Sequence, residues 1–137
     1  MKIGMYGFFH GHAWPSKKLM SCDYIFMGHI QPAVEFIDKL GYRSRQQVWL
    51  KSKLNQEIIK KKYKINKTGK LNLIVFPAFN NLSGSLNVTG DKKLTGPMLT
   101  NGLFDLEESK AYLLDGTYLG DIKSLKRRFQ KLLLIPT

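Results

Sequence analysis

The chain has almost no cysteine: Cys22 is the only one among 137 residues, so no disulfide can form within it. That usage suits a reducing compartment and points to the cytoplasm. Long apolar runs are missing too. Nothing approaches the roughly 18 residues that a membrane span needs. The opening MKIGMYGFFHGHAWP carries one Lys and is soon broken by His10, His12 and Pro15, so it does not read as a signal peptide. Acidic residues are scarce, with ten Asp and Glu against 22 Lys and Arg, a formal charge of +12. With a sequence pI near 9.9, the balance favours a polyanionic partner, RNA or DNA ahead of an acidic membrane face. Familiar catalytic signatures are absent as well. There is no phosphate-binding P-loop, no GxGxxG and no nucleophile elbow. Asp105, Glu107 and Glu108 read as a solvated turn rather than an acid–base pair.

What is present is a folding composition. Apolar residues make up 43% and aromatics 12%, enough for one domain over 1–137. Residues 3–9 read as a short buried strand ending in His-Gly-His. Residues 24–28 read as a second buried strand and 33–37 as the start of a third. Residues 42–54 suggest a longer strand, with Arg43, Arg45, Gln47, Trp49, Lys51 and Lys53 on one face and Tyr42, Val48, Leu50 and Leu54 on the other. A basic insert at 55–70 reads as an exposed loop or hairpin limb. Residues 71–79, the most apolar run, read as a central strand ended by Pro77. Residues 80–101, rich in Asn, Gly, Ser and Thr, read as loops. A hairpin is expected from 102–106 and 110–115, with its tip at Glu107–Ser109. The run SLKRRFQKLLL at 124–134 has helical spacing, with Ser124 as N-cap. Burial is the role expected for Cys22, and for Trp49 a place inside the core.

Several stretches taken together resemble the calcineurin-like metallophosphoesterases, in particular the archaeal branch related to the nuclease SbcD. They are HGHAWP at 10–15, DYIFMGHIQPAVEF at 23–36, VWLKSKL at 48–54, LIVFPAFN at 73–80, GPMLTNGLFDLEES at 96–109 and YLLDGTYLGDIKSLKRRF at 112–129. The resemblance covers most of the chain and implies a truncated, degenerate C-terminal half of that fold. The fold class is then α/β (α+β), a remnant of the β-sandwich flanked by helices, mostly strands plus a C-terminal helix. Two divalent metals in that family are held by five motifs in chain order. Met1 stands only nine residues before His10, so the first three motifs have no counterpart. His10 matches a ligand position in the fourth. His29 matches the first His of a Gly-His-x-His motif whose second His is Gln31 here, a poorer ligand for a transition metal than imidazole. At most two imidazoles remain, short of the three protein ligands that a catalytic metal site normally takes. The resemblance thus implies a pseudo-enzyme, with no catalytic residues, no cofactor, and His10, His12 and His29 as relics that hydrogen-bond locally, the alternative being that His12 contacts a phosphate. Removal of half a sandwich would uncover sheet faces and edges, so the remnant is expected either to repack or to be covered by a partner.

The positive constellation is the other expectation. Arg43, Arg45, Lys51, Lys53, Lys60, Lys61, Lys62, Lys64 and Lys67 lie in a stretch where only Glu57 opposes them, and Lys126, Arg127 and Arg128 form a second set. Arg suits bidentate phosphate contacts and Lys acts as a mobile point charge. Lys39, Lys70, Lys123 and Lys131 extend the two sets, and Lys17 and Lys18 form a smaller third. Tyr42, Trp49 and Tyr63 are interleaved and could stack on unpaired bases. No base-reading motif is visible, so recognition of RNA shape and backbone is expected. The expected function is that of a non-enzymatic RNA-binding protein, with rRNA in the ribosome as its partner, beside neighbouring ribosomal proteins and away from membranes. The alternatives are one subunit of a split metal-dependent phosphoesterase, whose missing motifs come from another chain, and a DNA-associated or protein-interaction module.

Overall fold

A computed structural model describes residues 1–80, 84–90 and 96–133, with side chains up to Phe129. The fold is mixed α/β: most strands join in one sheet, with three short α-helices that include a C-terminal one. The strands are β1 (Lys2–Ile3), β2 (Tyr6–Phe9), β3 (Tyr24–Met27), β4 (Pro32–Ile37), β5 (Arg43–Lys53), β6 (Asn72–Val75), β7 (Leu86–Asn87), β8 (Lys110–Leu113) and β9 (Tyr118–Asp121). The helices are α1 (Gln56–Tyr63), α2 (Pro97–Thr100) and α3 (Ile122–Leu133), and a 3-10 helix spans Lys17–Ser21. None of the described helices is long and apolar enough to cross a membrane.

The sheet runs β1-β2-β3-β6-β5-β4-β7, with β8 on β5 and β9 on β8. β5 organises it. Its first half pairs antiparallel with β4, and its second half pairs with β6 and with β8. β2, β3 and β6 are parallel. Because side chains alternate along a strand, each row of register partners lies on one face. Gly7, Ile25 and Leu73 form one inward row, and Met27, Val75, Leu50 and Ala111 form the next. All seven are buried, together with Leu19, Met20, Cys22, Leu54 and Ile59 from the elements that cover this face. Each buried Leu, Ile or Met contributes about 1.5–3 kcal/mol.

Several expectations need correction. The opening segment is not a buried strand but a tight hairpin turning at Gly4 (φ 55°), with Ile3, Met5 and Tyr6 exposed. Residues 56–63 of the basic insert form a helix. Asn55 caps it, its side chain accepting from the amides of Glu57 and Ile58 at 3.0 and 3.1 Å. The cap and the buried Ile59 outweigh the lysine-rich composition that suggested a loop. The hairpin of the C-terminal third is β8–β9, turning at 114–117, and Glu107–Ser109 lies before it instead of at its tip. The N-cap of α3 is Asp121, whose carboxylate accepts from the amide and hydroxyl of Ser124. The central position of β6, the long β5 and the burial of Cys22 are as expected.

Candidate nucleic-acid interface

Three surfaces carry the candidate residues. The first is built by α1 and the segment after it. Ile59 anchors α1 in the core, which turns its lysines outward. Lys64 closes the helix in the left-handed conformation (φ 52°). The chain then returns to the core at Gly69, whose amide donates to the Met20 carbonyl at 2.9 Å. A Cβ on Gly69 would lie 2.0 Å from the Cys22 carbonyl oxygen, so only glycine fits. The Tyr63 hydroxyl donates to the Pro15 carbonyl, and the Lys62 ammonium stands 4.1 Å from the Trp14 ring centre. Burial pushes the Tyr63 phenol up from its ordinary pKa. These contacts hold the end of α1 against Trp14 and Pro15, while the Gly69 amide ties the returning chain to the 3-10 helix that carries Lys17 and Lys18.

Not every expected cation is free there. Lys60 pairs with Glu57 at 3.3 Å, and Lys62 is engaged by Trp14. Lys61, Lys64, Lys67 and Lys70 are exposed and have no ion-pair partner among the described residues. Tyr63, half buried and bonded to Pro15, is not presented for base stacking, whereas Tyr42 is exposed.

The second surface lies on α3 and the start of β5. Lys126 pairs with Glu107 at 3.5 Å, while Arg127 and Arg128 stand exposed. Arg43 is held twice, by Glu35 at 3.5 Å and over the Phe129 ring at 5.7 Å. Glu35 is itself fixed by the Asn87 amide at 2.7 Å. Arg45 is exposed and lines an open groove of about 650 Å³ with Gln46, Ser85 and Asp115. Lys131 lies beyond the described side chains.

The third surface is the outward face of the sheet, which the sequence pattern did not reveal. Here lie Tyr6, Tyr24 and Lys53, then Phe8, Phe26, Ile74 and Lys51, then Phe76, Trp49 and Tyr112. Four of these rings touch in a chain, Phe8–Phe26 at 4.9 Å, Phe26–Phe76 at 5.8 Å and Phe76–Trp49 at 5.1 Å between centres, and Tyr112 pairs with Tyr118 at 5.1 Å. Trp49 is therefore not inside the core, as expected, but half buried on this face. Its alternation with Val48 and Leu50 already placed it opposite the core. The aromatic character of YGFF and YIFM suggested burial on both sides and hid the rest.

At the carboxyl ends of the parallel β2 and β3, the loops bring three imidazoles together. One ring nitrogen of His29 and one of His10 share a hydrogen bond of 3.1 Å, and the His12 ring lies 5.3 Å from His10 between centres. Gly11 (φ 110°) allows this loop, since a Cβ there would lie 2.5 Å from Cγ of Met27. Among the described residues no three His, Cys, Asp or Glu are arranged to hold a metal. His10 and His29 thus bond to one another across the two loops. Gln31 sits in the left-handed region (φ 49°).

Asp105 accepts from the Glu107 amide, and Glu107 faces Lys126, so this acidic group forms a turn and a surface ion pair. No family model matches the chain, and neither a curated protein nor a solved structure matches it significantly.

Proposed function

We propose that this chain is a non-enzymatic RNA-binding protein that associates with the ribosome and contacts rRNA phosphates. One observation carries the reading. Of the twelve cations expected to bind RNA, Arg45, Lys51, Lys53, Lys61, Lys64, Lys67, Arg127 and Arg128 are exposed and have no ion-pair partner among the described residues. Exposed like charges repel one another and weaken the compact state. A polyphosphate surface relieves that repulsion and releases its own counterions. Arg43, Lys60, Lys62 and Lys126 support the surface instead, since each is engaged within the chain. The ribosome is the partner of choice because it is the most abundant RNA surface in a cell. The cytoplasm is the matching location. Gradient sedimentation of cell lysate tests the proposal. The chain should travel with ribosomal particles at moderate salt and leave them as salt rises. Sedimentation at the top of the gradient at every salt concentration would overturn it.

The gathering of the His10, His12 and His29 rings in one loop cluster favours a second reading, a subunit of a split metal-dependent phosphoesterase. It retains the resemblance to the metallophosphoesterases and requires another chain to bring the missing ligands. Manganese binding that appears only with a co-purifying subunit would favour it over the first.

A further inference from the structure

The outward face of the sheet is apolar, aromatic and only half covered by the described residues. Tyr6, Tyr24 and Tyr118 are 49%, 39% and 53% exposed, and Phe8, Phe26, Ile74, Phe76 and Trp49 are half-buried. Neighbouring aromatic rings left open to water are a mark of a binding surface. Lysines stand in the same rows. Lys53 ends the row of Tyr6 and Tyr24, and Lys51 ends the row of Phe8 and Phe26, with Lys110 next to it on β8. All three lysines are exposed. The carboxylate in register with Lys110, that of Asp121, is bonded to Ser124. Between β5, β6 and β8 the face dips into a hollow of about 390 Å³, lined by Trp49, Lys51, Ile74 and Tyr112.

We infer that this face is a stacking platform for unpaired bases of RNA, with Trp49 and Tyr112 flanking a hollow that takes one base and Lys51, Lys53 and Lys110 meeting the phosphates. The inference rests on the RNA-binding reading and deepens it by naming unpaired RNA as the ligand. Charge decides between occupants. A protein sheet laid on this face, or a second copy of this chain, would bury three lysines for which the face itself offers no free acid. A second copy would add three more lysines and another +12. A single strand brings one phosphate per base and a π-face for each ring, and aromatic stacking tolerates any base. Duplex RNA hides its bases and would leave the rings unused.

The test uses the full chain, fluorescein-labelled oligouridylate and oligoadenylate, and an RNA duplex of equal charge, read by anisotropy at low salt. Single strands should bind more tightly than the duplex. Tyr6→Ala, Tyr24→Ala and Tyr118→Ala alter exposed rings. Each should weaken single-strand binding by roughly tenfold and leave duplex binding unchanged. A second readout does not depend on those variants. In a Trp14→Phe background the remaining indole is Trp49, and oligouridylate should quench its emission. Three outcomes overturn the inference while leaving RNA binding intact. They are duplex preference, unchanged affinity in all three tyrosine variants with no quenching, and a dimer in sedimentation that the tyrosine variants dissolve. If no RNA of either kind binds, the RNA reading falls and this inference falls with it.

Discussion

The two faces of the central sheet are made by the same strands, one residue out of step, and they meet different surroundings. Inward, Gly7, Ile25, Met27, Leu73, Val75 and Leu50 are buried, with α1, the 3-10 helix and the return at Gly69 packed over them. Outward, Phe8, Phe26, Ile74, Phe76 and Trp49 are just as apolar and only half covered. Hydrophobicity alone therefore does not set which face becomes core. What sets it is which face the connections cross, and here they cross one side. The inward face holds the fold, which leaves the outward face available for binding.

Substitutions that open the covered side should cost the most. Gly69→Ala sets a Cβ against the Cys22 backbone, where neither partner can yield. It should lower stability by upward of about 3 kcal/mol, read as a shift of the urea midpoint. A variant as stable as the parent would mean that the return loop does not close over the core as described. Leu73→Ala, inward, should cost about 2–5 kcal/mol. Its neighbour Ile74→Ala, outward, should cost under about 1.5 kcal/mol because less area leaves water. Equal losses for the pair would erase the distinction between the faces.

Changes at the charged rim should leave stability nearly alone and alter binding. Replacing Lys61, Lys64, Lys67 and Lys70 together by Ala should move stability by no more than about 0.5 kcal/mol. The slope of log affinity for RNA against log salt should flatten by roughly 3, at about 0.7–0.9 for each phosphate no longer neutralised. An unchanged slope would remove this surface from the interface.

The smallest effect is at Asp121. Hydrogen bonds from the Ser124 amide and hydroxyl hold its carboxyl below the ordinary carboxylate range, with Lys123 adding to the shift. A carboxyl depressed in the folded state contributes stability above its unfolded pKa and loses that contribution as pH falls through the lower folded value. Asp121→Ala should thus melt earlier than the parent at neutral pH, and the gap should close in acid. A gap that stays constant with pH would assign the cap to something other than the ionised carboxylate.

Much of this architecture is legible in residue patterns, and the failures have physical causes. β3, β4, β5 and β6 follow from apolar runs bounded by Gly, Pro and polar residues. The helix at 122–133 follows from its stripe, although its cap is Asp121 and not Ser124. α1 escapes notice because five of its eight residues are charged or amide-bearing, which hides the capping Asn55 and the anchoring Ile59. In the candidate interface, the basic clusters are visible from composition. The pairing of Arg43 with Glu35, of Lys62 with Trp14 and of Lys126 with Glu107 is not, because each joins segments separated in the chain. The aromatic face is hidden for a related reason. A strand that is apolar on both sides looks the same whether the second side meets protein, nucleic acid or water.

Charge-driven attachment of the chain to RNA is the central proposal. Its most direct measurement is the affinity of the purified chain for ribosomal RNA over a series of salt concentrations. The account predicts tight binding at low ionic strength and a steep, linear fall of log affinity with log salt. Failure to bind at low ionic strength, or an affinity indifferent to salt, would contradict it.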